Sequence, residues 1–185
     1  MQSLQALPLD LPEPMDDGAC HHLSGAALPS CALTSTQGSV VDLAQIKGWI
    51  VVYCYPMTGQ PNVALPAGWD AIPGARGCTP QSCSFRDHYQ ELTKLNTQVF
   101  GLSTQTTAYQ QEAAERLHLP FPLLSDADFQ FTDALRLPAF EVNHTRLNKR
   151  VTLIAYDGII QHYFYPVFPP DKNADEVLAW LEQHV

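Results

Sequence analysis

The feature that limits this chain most is the run Trp49-Ile50-Val51-Val52-Tyr53-Cys54-Tyr55, closed by Pro56. It is continuously apolar, β-branched and aromatic, with no polar face. A run of this kind suits a central strand buried on both sides. Such a strand needs cover above and below, so a sheet between helices is the natural fold. Hydrophobic residues make up 45% of the 185. One domain of that size and composition builds a core without disulfide staples.

The segments around the run fit that scheme. Val40-Val41-Asp42-Leu43 reads as a strand or strand end, and Val99 to Ser103 as a second buried strand. Residues 107–118 form a helical stripe stopped by Pro120, and Leu123-Leu124-Ser125-Asp126 a strand end and turn. Residues 129–135 read as a short helix. Residues 151–156 and 159–165 are strands joined by Asp157-Gly158, a hairpin turn. Residues 175–183 are a closing amphipathic helix. Strand–helix alternation predicts parallel crossovers, and the late hairpin an antiparallel portion. The expectation is an α/β protein with a mixed central sheet. Residues 26–185 form the domain, and residues 1–25, rich in Pro, Asp and Gly, a loosely held extension.

Between the first strand and the next helix lie residues 57–77, with four Gly and three Pro. Loops this long inside a compact domain are uncommon and often functional. Thr79-Pro80 then marks a helix start, with the Thr hydroxyl expected as cap. Phe85, Tyr89 and Leu92 continue its stripe toward Asn96.

With 10 Lys+Arg against 19 Asp+Glu, the net charge is −9. Nucleic acid and anionic membranes are therefore not expected as partners. No apolar run reaches the roughly 20 residues that span a bilayer. Residues 1–14 lack the basic start and apolar stretch of a secretory signal, so a cytoplasmic protein is expected.

Five cysteines are a poor disulfide framework: Cys20, Cys31, Cys54, Cys78 and Cys83. Cys54, inside the apolar run, reads as a core thiol. Cys20, His21, His22 and Cys31 match no zinc spacing, and no metal or organic cofactor is expected. Cys78 lies where a strand end leads through a Gly-containing loop into a helix. Free backbone N–H groups and the helix dipole there favour a thiolate; a small residue buried in a turn is the alternative. Cys83 follows five residues later. In one helix the two side chains differ by about 140° in direction and 7–8 Å in rise. They cannot bond while that helix is intact. The pair is either unrelated or a switch that unwinds a turn or two.

The stretch Gly77-Cys78-Thr79-Pro80-Gln81-Ser82-Cys83-Ser84-Phe85-Arg86-Asp87 resembles the active-site helix of peroxiredoxins, most closely the Q type or bacterioferritin comigratory proteins. The strand ending in Tyr55-Pro56, the strand Gly101-Leu102-Ser103-Thr104 and the turn Pro122-Leu123-Leu124-Ser125-Asp126 are similar to that family's. So is Lys149-Arg150-Val151-Thr152-Leu153-Ile154 followed by Asp157-Gly158. The resemblance runs over about residues 27–182.

It implies a thioredoxin-like fold, with helices flanking the mixed sheet. It also implies a peroxidase in which Cys78 attacks the peroxide, Cys83 resolves the sulfenic acid as a Cys78–Cys83 disulfide, and Arg150 stands beside the thiolate. Thioredoxin or a similar dithiol protein would be the reductant, and a monomer is slightly favoured. A redox-sensing protein using the same cysteine pair is the alternative of another class. A thiol–disulfide oxidoreductase would instead show Cys-x-x-Cys.

The sequence departs from the family just before Cys78. Ala75 stands where a Thr is usual, and an insertion containing Leu65-Pro66-Ala67-Gly68-Trp69-Asp70 separates Pro56 from the cysteine. Thr58 is the residue expected to fold back and supply the hydroxyl. Arg76 reads first as a solvated loop residue, with a cation that helps lower the Cys78 thiolate pKa as the alternative, and Trp69 as lining an entrance or pinning the loop.

Overall fold

The structure, a computed structural model, describes residues 7–185. Residues 1–6 of the expected extension lie outside them. The apolar run forms β3 (Trp49–Cys54) in a seven-stranded sheet. The other members are β1 (Leu33–Ser35), β2 (Val40–Val41), β4 (Thr97–Ser103), β5 (Leu123–Ser125), β8 (Val151–Tyr156) and β9 (Ile159–Phe164), in the order β2-β1-β5-β4-β3-β8-β9. β3, β4 and β5 run parallel; β8 is antiparallel to β3, and β1 to β5. The mixed sheet with flanking helices is the architecture of thioredoxin-like proteins.

Full burial of β3 shows in how its side chains divide. Ile50, Val52 and Cys54 enter the core on one face, and Val51, Tyr53 and Tyr55 the core on the other. The second face is covered by α1 (Cys78–Asp87), α2 (Tyr89–Lys94), α3 (Thr107–Arg116) and α5 (Asn173–His184). They contribute Phe85, Leu92, Ala113, Val177 and Leu181. The first face is covered by α4 (Gln130–Ala134), through Phe131, and by the N-terminal segment. Two strands unforeseen in the sequence, β6 (Ala139–Val142) and β7 (Thr145–Asn148), form a separate hairpin. Asn143 and His144, both at positive φ, turn it.

Three local expectations change. Segment 7–25 is not loose throughout: Cys20 and Leu23 are fully buried in the core, and Asp17 accepts hydrogen bonds from Lys149 Nζ (2.7 Å) and the Tyr165 hydroxyl (2.8 Å). The stripe through Phe85, Tyr89 and Leu92 is two helices, because the chain leaves helical geometry at His88 (φ −94°, ψ 5°). The cap of α1 is Gly77 rather than Thr79, so Cys78 is the first residue of the helix. Gly77 has φ +108°, where side chains are rarely accommodated, and a Cβ there would strike Pro170. Among the described residues no helix is long and apolar enough to cross a membrane.

Gly101 marks the tightest approach between β4 and its neighbours. A Cβ there would lie 2.5 Å from Leu123 Cδ2 and 2.7 Å from the Tyr53 hydroxyl. Gly101→Ala is therefore expected to overpack the core and cost about 1–3 kcal/mol. Equilibrium denaturation by urea checks this; a variant as stable as the parent would show that Tyr53 can move aside.

Candidate active site

Three chain segments meet where β3 ends. Pro56 leads out of β3 into the 57–77 loop, which returns as Gly77 and the first turn of α1. β8 pairs with β3 so that Val151 lies opposite Cys54. Arg150, one residue before β8, therefore stands at the same end of the sheet. Tyr53 locks α1 against this end: its ring stacks on Phe85 (centroids 4.6 Å apart, 10° between planes), and its hydroxyl donates to Ser82 Oγ at 3.1 Å.

Cys78 and Arg150 are each only 3% exposed. Arg150 Nη2 lies 3.3 Å from Cys78 Sγ. The same nitrogen donates to the carbonyls of Gly74 and Ala75 (3.3 Å each) and Arg76 (3.2 Å). Nη1 donates to Gln81 Oε1. Gln81 is held in that orientation because its Nε2 donates to Asn173 Oδ1 (3.0 Å), which also accepts from Thr152 Oγ1 (2.6 Å). These acceptors are all neutral, so a thiolate at Cys78 would be the anion matching the buried guanidinium. The first-turn amides of Cys78 and Thr79 have no intrahelical acceptor, which adds donors on the same side.

The remaining cysteines differ in kind. Burial pushes the Cys20 thiol up to about 12 and Cys31 up to about 11. Cys54, wholly enclosed, is pushed higher still, again by burial. Burial also raises Cys83, opposed by the nearby Arg86. Cys83 is half-buried beside a depression shared with Pro80, His88, Asp171 and Lys172, while Cys78 lines a different cavity. All five cysteines are free thiols. Among the described residues no three His, Cys, Asp or Glu side chains converge as metal ligands.

The structure brings Cys78 and Arg150 together and holds Cys83 on the same helix. It does not bring in Thr58. That residue is fully buried, its hydroxyl donates to Gln105 Oε1 (3.4 Å), and it is not among the residues lining the Cys78 cavity. The hydroxyl residue that does line it is Thr79. Ala75 is completely buried, in a cluster with Trp69 and Leu147. Arg76 is also buried rather than solvated, with Nη1 3.0 Å from Asp70 Oδ1. Gln81 and Asn173 are missed by sequence reasoning. Gln81 sits visibly between the two cysteines, but Asn173 is 92 residues away and nothing local marks it.

The sequence profile of the family described as Redoxin matches residues 23–178. The chain is 30% identical over 159 residues to peroxiredoxin Q, chloroplastic, of Oryza sativa subsp. japonica, covering 85% of this chain and 66% of that protein. It therefore spans just under two thirds of the rice relative's length. It is 30% identical over 166 residues to peroxiredoxin Bcp of Escherichia coli (strain K12), covering 87% of this chain and 96% of that one. In structure it is similar to peroxidoxin BcpB from Mycobacterium tuberculosis, with TM-score 0.72 and 24% identity over 88% of this chain and 97% of the other. Xanthomonas campestris peroxiredoxin Q superposes with TM-score 0.65 at 21% identity, covering 95% and 98%.

Two outcomes are expected from alkylation with iodoacetamide followed by peptide mass spectrometry. Near pH 8, Cys31 holds about one thiolate in 10³ and Cys20 fewer, so both react slowly and gain about tenfold per pH unit up to about 11 and about 12. Gln81→Glu gives Arg150 a competing anion and is expected to slow labelling of Cys78 about tenfold, leaving Cys31 unchanged. Equal slowing at both positions would mean general rigidification instead.

Proposed function

Because this chain belongs to the Redoxin family, among the Q-type (Bcp) peroxiredoxins, we propose that it is a thiol-dependent peroxidase whose reacting atom is Cys78 Sγ. The observation that carries the reading is the 3.3 Å approach of Arg150 Nη2 to that sulfur in a buried setting with only neutral competitors. A guanidinium does not lose its proton, so the positive charge is permanent.

The thiolate attacks the terminal peroxide oxygen. An S–O bond forms and the O–O bond breaks; the sulfur is oxidised to sulfenic acid, and the departing oxygen leaves as water or alcohol after taking up a proton. Arg150 and the first-turn amides of Cys78 and Thr79 donate to the oxygens as charge moves onto the leaving one. Donors fixed before reaction need no reorganisation, which is the source of the rate.

Cys83 acts as the resolving cysteine. Its thiolate attacks the sulfur of the Cys78 sulfenic acid, an S–S bond forms, and the hydroxyl departs as water. The two side chains point about 140° apart on an intact helix, so the first turns of α1 must unwind. Unwinding breaks the contacts of a buried first turn, among them Cys78 to Arg150, Gln81 to Arg150 and Asn173, and Ser82 to Tyr53. Phe85 can stay stacked on Tyr53 and anchor the rest. Thioredoxin or a similar dithiol protein then donates two electrons to the disulfide. Hydrogen peroxide and organic hydroperoxides are the substrate class, and the expected setting is the cytoplasm.

The test is one equivalent of hydrogen peroxide on reduced protein, with peptide mass spectrometry of the parent, Cys78→Ser and Cys83→Ser. A Cys78–Cys83 disulfide in the parent, and sulfenic acid at Cys78 in Cys83→Ser, is the expected pattern. Slow oxidation scattered over the cysteines would sink the peroxidase reading.

A further inference from the structure

Leu65 and Trp69, both in the insertion, lie against the reacting cysteine. With Met57, Arg76 and Thr79 they line a cavity at Cys78 of only about 10 Å³. That is room for about one water-sized molecule. The insertion is not a loose excursion. Trp69 is 3% exposed and packs with Met57, Leu65 and Ile72 from its own loop and with Phe140, Val142 and Leu147 from the β6–β7 hairpin. Its ring lies 6.0 Å from that of Phe140. Asp70 is tied back to buried Arg76, two residues before Cys78, at 3.0 Å. Gly68 and Gly74, at φ +75° and +77°, turn the chain on either side of Trp69.

We propose that residues 59–72 form a size gate over Cys78, with Trp69 and Leu65 as its steric barrier and the Asp70–Arg76 pair as its latch, so that hydrogen peroxide and other small molecules reach the sulfur far faster than hydroperoxides carrying an aryl or long alkyl group. The substrate part of this rests on the peroxidase reading above; the steric part concerns access to the thiol whatever reacts with it. The geometry supports the gate in two ways. Gly59, Leu65 and Trp69, on the side of the cavity away from the helix, come from one contiguous loop segment. That insertion is supported from outside by its own apolar cluster, so it stands in place without substrate. Admission of a bulky molecule requires Trp69 to leave Phe140 and Leu147, which costs the burial of a large aromatic side chain. Hydrogen peroxide, with two heavy atoms, needs far less displacement.

The experiment uses two readouts on the full chain. The first is the rate of Cys78 alkylation by a small reagent, methyl methanethiosulfonate, against a bulky one, N-(1-pyrenyl)maleimide, followed by peptide mass spectrometry. The second is kcat/KM for hydrogen peroxide against cumene hydroperoxide. Trp69→Ala is expected to shift both ratios toward the bulky partner at least tenfold. Leu65→Ala, at a half-buried position less important for packing, is expected to shift them about threefold in the same direction. Asp70→Asn, which weakens the latch without opening a hole, is expected to give an intermediate shift. Circular dichroism selects the folded variants, and Leu65→Ala and Asp70→Asn keep the test open if Trp69→Ala unfolds. Unchanged alkylation ratios in the folded variants overturn the gate. Alkylation ratios that shift while the parent consumes no peroxide would leave the gate standing and overturn the peroxidase reading instead.

Discussion

The arrangement at the end of the sheet depends on one buried cation. Arg150 is almost fully removed from water; its two terminal nitrogens reach three backbone carbonyls, an amide oxygen and a sulfur, while Nε stays buried without a partner. An ionised group in such a place is costly unless its surroundings answer its charge. The carbonyls of Gly74, Ala75 and Arg76 answer part of it, and in doing so the guanidinium fixes the last turn of the loop before Cys78. A thiolate 3.3 Å away would answer the rest, with an attraction on the order of 5 kcal/mol at an effective dielectric of about 20, before desolvation is set against it. One side chain thus serves as a structural clamp on the loop and as the electrostatic partner of the sulfur. The two roles are inseparable, because the carbonyls that hold the guanidinium belong to the residues that deliver the cysteine.

The sheet makes that clamp possible. Parallel pairing of β3 with β4 sends the chain from β3 into a crossover, so α1 begins near the C-terminal end of β3. Antiparallel pairing of β8 with β3 brings a strand beginning to the same end, in a register that sets Val151 against Cys54. A one-residue slip would turn the faces of β8 over and exchange core and counter-core residues. The division of Val151, Leu153 and Ala155 from Ile154 between the two cores therefore fixes where Arg150 stands. A thiol from a helix start and a cation from a strand start, 72 residues apart, meet because both neighbours of β3 are held to one register.

What could be read in the sequence were features with local causes. The apolar run announces a strand buried on both faces, Asp157-Gly158 announces the β8–β9 turn, and the loop leading to Cys78 announces a helix start. The cap of α1 was misjudged because Thr79 is a good capping residue and Gly77 is a better one only if φ must be positive. A Cβ there would also strike Pro170, which no local pattern reveals. Segment 7–25 reads as loose because it is rich in Pro, Asp and Gly and shows no sustained period. It is tied down by Asp17 to Lys149 and Tyr165, more than 130 residues away. The β6–β7 hairpin escaped notice because its strands are short and turned by Asn143-His144, a pair that adopts positive φ but carries no glycine. Asn173 escaped for a simpler reason: its amide matters only through Gln81 and Thr152, neither of which is near it in sequence.

The departure before Cys78 has a physical sense that the sequence hides. Ala75 replaces the usual Thr at a point with no accessible surface, in contact with the cluster that holds Trp69 and Leu147. A larger side chain there would add volume at a fully buried position, which is unfavourable unless its neighbours shift. The polar side chains nearest the sulfur are Arg150, 3.3 Å away, and Thr79, which lines the cavity from the helix side. Thr79 on α1 and Arg150, just before β8, both lie outside the inserted loop. An enclosure built from the loop and a donor set built from the rigid elements can thus vary independently, so the loop can be rebuilt to restrict entry while the groups that face the sulfur stay where the sheet puts them.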